Sequence, residues 1–391
     1  MDPIDPDCLR QLDALLALSN QSWLFGAGIS KDANIPLMGA LTTQIFSIAE
    51  KDSDPRVKQL LEHVKGELPT NSHIEHILSH LGDYAAIAER SKSSKSKFGK
   101  LTLELKELQE LHATVLSWIA ETIRWGYVPA TATEPPKIGT RDAPIVTVEG
   151  HMQFVAALFN RNQAGVENRR NAVRLFTINY DTLIEDALAL SSFTYWDGFS
   201  GGSVAHRSHH FGQGDPDNYY RAHVIKLHGS IDWHLGEDDR VWRVRDGDLY
   251  PTRLRRVVIY PQSTKYFATQ RDPFASQFDI FRRTLGSRSE NVLVTCGYSF
   301  GDQHINDEIE LALQRPDSKT TILACLPEFC PTLDKWRASV WGKRLYILTK
   351  AGLFVGAEGP YFPPLTGIDR GWWTFTGVTN ILANGAEAYV L

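Results

Sequence analysis

The sequence predicts an α/β fold: a doubly wound, mostly parallel sheet with an inserted helical subdomain. Three observations lead there. Apolar strand-like runs alternate with helical stretches from residue 173 to 349, the pattern of a parallel sheet covered on both faces. An earlier apolar run, Trp23-Leu24-Phe25, breaks directly into Gly26-Ala27-Gly28-Ile29-Ser30, as a first strand does when it feeds a helix through a glycine turn. Between these two regions lies a block of mostly helical apolar spacing, which interrupts the alternation.

Taken in chain order, residues 9–19 space their leucines as an opening helix. After the glycine turn, amphipathic helical stretches follow at 40–64 and 72–90. Ser91 to Lys100 is basic and serine-rich and reads as a mobile loop. A long helix follows at 101–126, then an irregular connection at 127–147 set by Pro129, Pro135, Pro136 and Pro144. Another helix is expected at 150–162. Strands are expected at 173–178, 222–227, 256–260, 291–296, 320–326 and 344–349, with helices at 182–190, 275–286, 304–314 and 331–340. The tail is rich in Gly, Pro and aromatics and shows no assignable period. This divides the chain into a sheet domain (1–39 and 171–350), a helical subdomain (40–170) and a C-terminal extension (351–391).

Composition narrows the function classes. The formal net charge is −5, so a global basic field for gripping nucleic acid is missing. The local clusters Arg253, Arg255 and Arg256, then Arg282 and Arg283, fit solvated strand ends and helix faces as well as a nucleic-acid surface. Direct nucleic-acid binding is not expected. Of the four cysteines, Cys296 and Cys325 sit in apolar runs as small hydrophobes would. Cys325 and Cys330 lack a second pair to complete a zinc site. No run approaches the ~20 apolar residues of a membrane span, and the acidic N-terminus lacks a signal pattern. A reduced cytoplasm is the expected location.

Four strand-end segments carry the chemistry. Gly26 and Gly28 would let a pyrophosphate approach the backbone at a helix N-terminus. The dinucleotide fingerprint nonetheless needs a third glycine where Lys31 stands, and a ligand-free tight turn fits equally. Asn179-Tyr180-Asp181 ends the strand begun at Val173, at the edge where open α/β sheets bind ligands. Asp181 also suits a plain helix N-cap. His228-Gly229 ends the run Val224 to Leu227; its near-neutral imidazole suits a general base, though a lone histidine before a turn is often structural. Gly297-Tyr298-Ser299-Phe300-Gly301-Asp302 directly follows the strand Asn291 to Cys296 and suits a ribose or phosphate. His73, His76 and His80 with Glu75, and His206, His209 and His210, read as chance clusters rather than metal sites. Tyr195-Trp196-Asp197 reads as packing.

Together these segments resemble the sirtuin-like domain: GAGIS with Ile35-Pro36 downstream, the Asn-x-Asp element, the His-Gly element and the late glycine loop, in the family's order. The wording NYD, HGS and GYSFGD, followed by His304-Ile305-Asn306, is similar to the bacterial anti-phage defence branch, whose members hydrolyse NAD⁺. The chain also departs from the deacylases. It lacks their four-cysteine zinc ribbon, carries Leu37-Met38-Gly39 in place of their Asp-Phe-Arg, and has a helical insertion where their zinc module stands.

The resemblance implies a Rossmann-like NAD-binding sheet with NAD⁺ as substrate and no metal. Gly26, Ala27, Gly28 and Ser30 would hold the pyrophosphate, with Ile35 and Pro36 beside them. Asn179 would orient the nicotinamide ribose and the attacking water, Asp181 would bind the carboxamide, and His228 would accept a proton. Gly297, Tyr298 and Ser299 would meet the adenosine-side ribose. It further implies a homo-oligomeric, NAD-depleting effector partnered by a HerA-type ATPase. Such chemistry asks little acid catalysis, because nicotinamide leaves as a neutral molecule; the demand is for orientation and support of an oxocarbenium-like ribose. The alternatives are a non-catalytic NAD- or ADP-ribose-binding assembly module, an ADP-ribosyltransferase and a deacylase.

Overall fold

Apolar runs long enough for one strand each, flanked by turn residues, become the parallel core of a nine-stranded sheet. The computed structural model describes residues 5–98, 101–161, 172–207, 219–236, 240–245, 255–258, 273–364 and 367–390. After the helix Pro6–Leu16 come β1 (Gln21–Phe25) and a short 3₁₀ helix, Ala27–Ala33, where an α-helix was expected. The helices Met38–Lys51, Pro55–Glu67 and Ile74–Arg90 follow. The stretch expected as one helix over 40–64 is thus two. Pro55 starts the second at its first turn, and Asp54 caps it by accepting from the Arg56 amide at 2.9 Å.

The segment expected as a mobile loop is a hairpin, β2 (Lys95–Phe98) with β3 (Leu101–Glu104). The Lys95–Glu104 ion pair across it, 3.0 Å long, offsets the basic charge that made it read as a linker. Next are the helix Leu105–Trp125, the two-residue strands β4 (Tyr127–Val128) and β5 (Lys137–Ile138), and the helix Glu149–Arg161. The rest of the sheet region comprises β6 (Val173–Thr177), the helix Leu183–Leu190, β7 (Tyr195–Trp196), β8 (Phe199–Gly201), β9 (Val204–Arg207), β10 (Ala222–Lys226), β11 (Gly229–Leu235), β12 (Val241–Val244) and β13 (Arg255–Val258). The helix Phe274–Leu285, β14 (Asn291–Cys296), the helix Gln303–Gln314, β15 (Thr320–Cys325), the helix Pro331–Arg337 and β16 (Leu345–Thr349) then restore the alternation.

With β17 (Gly352–Val355) and β18 (Glu358–Tyr361) from the tail, the sheet order is β18-β17-β16-β15-β14-β1-β6-β10-β7. Neighbours from β7 through β16 run parallel. From β1 the chain builds outward on one side through β6 and β10, then returns to the other side with β14. That reversal is a topological switch point, where ligands bind beyond the strands' carboxyl ends. The tail, which had no assignable pattern, adds β17 and β18 as an antiparallel edge, then the helices Phe375–Asn384 and Ala386–Val390. Trp372, Phe375 and Ile381 from it pack in one core with Trp23, Phe25 and Leu175. Leu24, Phe176 and Ile225 point to the opposite face, against Phe278 and Phe281, as strand alternation requires.

The strand expected at 256–260 is described over Arg255–Val258. It pairs antiparallel with β11 in a second, five-stranded sheet of order β13-β11-β12-β9-β8. That sheet was not foreseen. The helices Met38–Lys51 to Leu105–Trp125 share their own apolar cluster, which reaches Tyr180, Leu183 and Ile231. The helix Glu149–Arg161 instead lies on the sheet's core. Among the described residues, no helix is long and apolar enough to cross a membrane.

Candidate active site

The four adjacent parallel strands β14, β1, β6 and β10 end in the four loops singled out from the sequence, and backbone bonds stitch each loop to the next. The Gly26 amide donates to the Cys296 carbonyl, Ile178 to Phe25, and Leu227 to Thr177. These loops line one cavity of about 700 Å³, within the ~300–1,000 Å³ typical of small-molecule sites. Its lining includes every residue proposed from the sequence: Gly26, Ala27, Gly28, Ser30, Ile35, Pro36, Asn179, Asp181, His228, Gly297, Tyr298 and Ser299.

A loop crossing alone requires both glycines. A Cβ on Gly26 would lie 2.5 Å from the Gly297 carbonyl oxygen, and one on Gly28 would lie 2.7 Å from the Gly297 Cα. The Gly28 amide donates to Gly297 at 3.0 Å, and Ile29 donates to Gly26 at 3.2 Å. With the amides of Gly26, Gly28 and Ile29 committed, a pyrophosphate would meet fewer free donors here than the strand-turn-helix pattern implied.

Asn179 is buried at the centre. Its backbone amide donates to Thr177 Oγ1 at 3.0 Å, and Nδ2 donates to the Gly26 carbonyl at 3.1 Å and to Ser30 Oγ at 3.2 Å. Oδ1 has no partner among the described residues. A buried acceptor left this way costs about 1–3 kcal/mol, the kind of debt that a bound donor removes. Asp181 accepts from Ser30 Oγ at 2.8 Å and from the Leu183 amide at 3.1 Å. It thus holds the first amide of the helix Leu183–Leu190, whose N-cap is Thr182, and lines the cavity at once. Tyr180, between them, donates to Glu75 Oε1 at 2.7 Å, which brings the helical layer to the cavity rim.

His228 sits where β10 leaves the parallel sheet and the chain enters β11 of the second sheet. Gly229, at φ +84°, makes the turn in the left-handed region that glycine tolerates. Nε2 of His228 lies 3.0 Å from Asp302 Oδ2. Tyr298 lines the same cavity. Its ring is buried, and its hydroxyl donates to Asn306 Oδ1 at 2.8 Å with the Asp302 carbonyl at 3.1 Å.

Sequence reasoning missed a buried charged cluster beside Asp181. The buried Lys226 ammonium donates to the Asp181 carbonyl and lies 3.4 Å from Glu185 Oε1. Arg245 reaches Asp186 at 2.8 Å and the buried Asp232 at 3.6 Å. Burial pushes the Glu185 carboxyl up to about 7, opposed by the charges of Lys226 and Arg245. Between its ordinary value of 4.5 and about 7 the folded chain holds a proton that the unfolded chain has released. Stability should therefore fall as pH rises through that window, by on the order of 1–3 kcal/mol. Melting temperatures at pH 5 and pH 8 should show it, and Glu185→Gln, which still offers Lys226 an acceptor, should flatten the difference. Equal pH slopes in both proteins would remove Glu185 as its source.

His151 lies close enough to feel the Asp181 charge, which the sequence did not announce. It is buried beside Phe375, and burial holds its imidazole below the usual value while the Asp181 charge pulls the other way.

The histidine clusters part company. His80 Nε2 lies 2.9 Å from Glu67 Oε2, while His76 Nδ1 accepts from the His73 amide at the mouth of the cavity. His206 lies in β9; His209 and His210 fall outside the described residues. Among the described residues no group of three or more His, Cys, Asp or Glu side chains is placed to hold a metal. Arg282 is held by both oxygens of Glu308 and Arg283 by Asp279; Arg253 lies outside the described residues. Asp197 pairs with Arg243.

Residues 173–341 match the family model of the SIR2-like domain. That stretch holds three of the four loops, all but the one after β1. Among solved structures, the chain is similar to a complex of a Sir2 homolog with NAD, at 14% identity and a TM-score of 0.39, over 81% of this chain and 83% of that one. A search of curated proteins finds no match.

Proposed function

We propose that this chain hydrolyses NAD⁺ at the nicotinamide–ribose bond, releasing nicotinamide and ADP-ribose. The observation that carries the reading is the Asn179 amide. Its nitrogen is anchored to the glycine turn, while its oxygen is buried without a partner among the described residues, in the cavity that His228 also lines. An acceptor held in that way can orient a ribose hydroxyl or the attacking water, and orientation is what an oxocarbenium-like reaction needs most. His228 takes the proton that the water loses. The match to the SIR2-like domain model and the resemblance of the four motifs support NAD⁺ as the substrate.

The defence-branch wording of the motifs further supports a role as an NAD-depleting effector in anti-phage defence, acting as a homo-oligomer with a HerA-type ATPase. Depletion of NAD⁺ must be restrained until triggered, so the test supplies both conditions. Purified chain is incubated with NAD⁺, with and without a HerA-type ATPase, and the products are separated by chromatography. Equal amounts of nicotinamide and ADP-ribose are expected. Intact NAD⁺ in both arms would remove the hydrolytic reading, and label transferred to a macromolecule would replace it with ADP-ribosyl transfer.

Asp181 provides a separate check. Its two oxygens keep lone pairs beyond the bonds to Ser30 and Leu183, enough to accept from the nicotinamide carboxamide. Asp181→Ala should weaken NAD⁺ binding about 10- to 100-fold by calorimetry, the worth of a hydrogen bond to a charged group. Unchanged affinity would leave Asp181 with its bonds to Ser30 and Leu183 alone.

A further inference from the structure

The loop after β14 ends on a carboxylate with two separate engagements. Asp302 Oδ1 accepts from the His304 amide at 3.1 Å, capping the helix Gln303–Gln314. Oδ2 lies 3.0 Å from His228 Nε2, with only 8% of the histidine and 10% of the aspartate side chain exposed. Neither partner can swing freely. Asn306 Nδ2 donates to the Phe300 carbonyl at 2.8 Å, and the Tyr298 hydroxyl donates to Asn306 Oδ1 at 2.8 Å. On the other side, Leu227 is tied to Thr177 and Ile231 to Tyr180. Two rigid elements therefore present the imidazole and the carboxylate to each other.

We propose that Asp302 is a positioning residue that fixes His228 in the tautomer with hydrogen on Nε2, leaving Nδ1 as the basic atom. A neutral imidazole has one donor and one acceptor nitrogen, whereas an ionised carboxylate only accepts. An Asp beside Nε2 therefore selects Nε2–H, as the orienting group of a nucleophile–base–orienter set does. Resting on the hydrolytic reading, the proton balance is complete. Water oxygen bonds to the ribose C1′, the electron pair of the C1′–nitrogen bond leaves with neutral nicotinamide, and the water proton passes to Nδ1. The resulting imidazolium is stabilised by the Asp302 carboxylate until it releases the proton to solvent. A histidine backed in this way favours water activation, which is the demand of a hydrolase.

The test uses the full chain with ¹⁵N-labelled histidine, the His228 signals being assigned by their loss in His228→Ala. The wild-type ring is expected to show one tautomer, with hydrogen on Nε2. Asp302→Ser keeps a helix-capping hydroxyl but is too short to reach His228; Asp302→Asn, which keeps cap and shape, is the second variant should the first fail to fold. The serine variant should lose the single tautomer. Its kcat for nicotinamide release should fall about 10²-fold or more, with KM changed less than about threefold, because the effect falls on the reaction step rather than on uniform binding.

A wild-type ring that carries its hydrogen on Nδ1, or mixes both tautomers, overturns the proposal. So does an Asp302→Ser protein with unchanged tautomer and kcat while the wild type releases nicotinamide, and in that case the hydrolytic reading survives. If the wild type releases none, that reading fails, and the ring signals alone still decide for or against Asp302.

Discussion

Replacing His228 with alanine is expected to lower nicotinamide release about 10²–10⁴-fold, the usual worth of a positioned general base. The fold should survive. The Leu227 amide and the Gly229 turn that place the residue are backbone features and remain in the variant. The main cost is the Asp302 carboxylate, which loses its partner 3.0 Å away but keeps the His304 amide. NAD⁺ affinity should change little, because the loss falls on the proton-transfer step. Circular dichroism, a melting curve and timed product analysis check the three parts. Near-normal turnover in a folded variant would take His228 out of the mechanism.

Gly297→Ala should damage the site by a different route. Gly297 has φ +65°, which costs an L-residue about 1–2 kcal/mol. A Cβ there would also lie 2.5 Å from the Ile29 nitrogen and 2.9 Å from the Gly28 Cα. Both are backbone atoms of the facing loop, so no side chain can rotate aside. Overpacking of this kind costs about 1–3 kcal/mol. Together they predict a loss of roughly 2–5 kcal/mol by chemical denaturation, with the loops after β1 and β14 forced apart. Binding of NAD⁺ should fall even under conditions where the chain is folded. A variant as stable as the wild type would mean that the crossing is looser than its distances imply. Gly39, with nothing near its Cβ, is the control position and should accept alanine without such a cost.

The parallel core was legible, apart from the two-residue β7 that read as packing, because its strands are short apolar runs with turn residues at their carboxyl ends, and the four site loops are such ends. Their adjacency was not written in any local pattern. It follows from the order β14-β1-β6-β10, which depends on contacts between distant segments. The second sheet escaped for a related reason. In β11, Asp232 and His234 are as buried as Ile231 and Trp233, so the apolar/polar alternation that marks a half-buried strand reported no buried face. Asp232 is buried beside Arg245, and nothing in the sequence announces that pairing. The same holds for Lys226 with Glu185 and for His228 with Asp302. Asp302 stood in plain view within GYSFGD, yet its second role needed the geometry. The two glycines of the first loop read as ligand contacts because a strand-turn-helix pattern usually serves a phosphate; both line the cavity, and the crossing of the loop after β14 is a second demand on them that the sequence does not announce.

Everything proposed for this chain requires that the four loops form one dinucleotide site. Calorimetric titration of NAD⁺ into the His228→Ala chain, which is expected to bind without turnover, tests that most directly. One saturable site per chain, for which ADP-ribose competes, is the expected result. A folded protein that binds neither NAD⁺ nor ADP-ribose would contradict it.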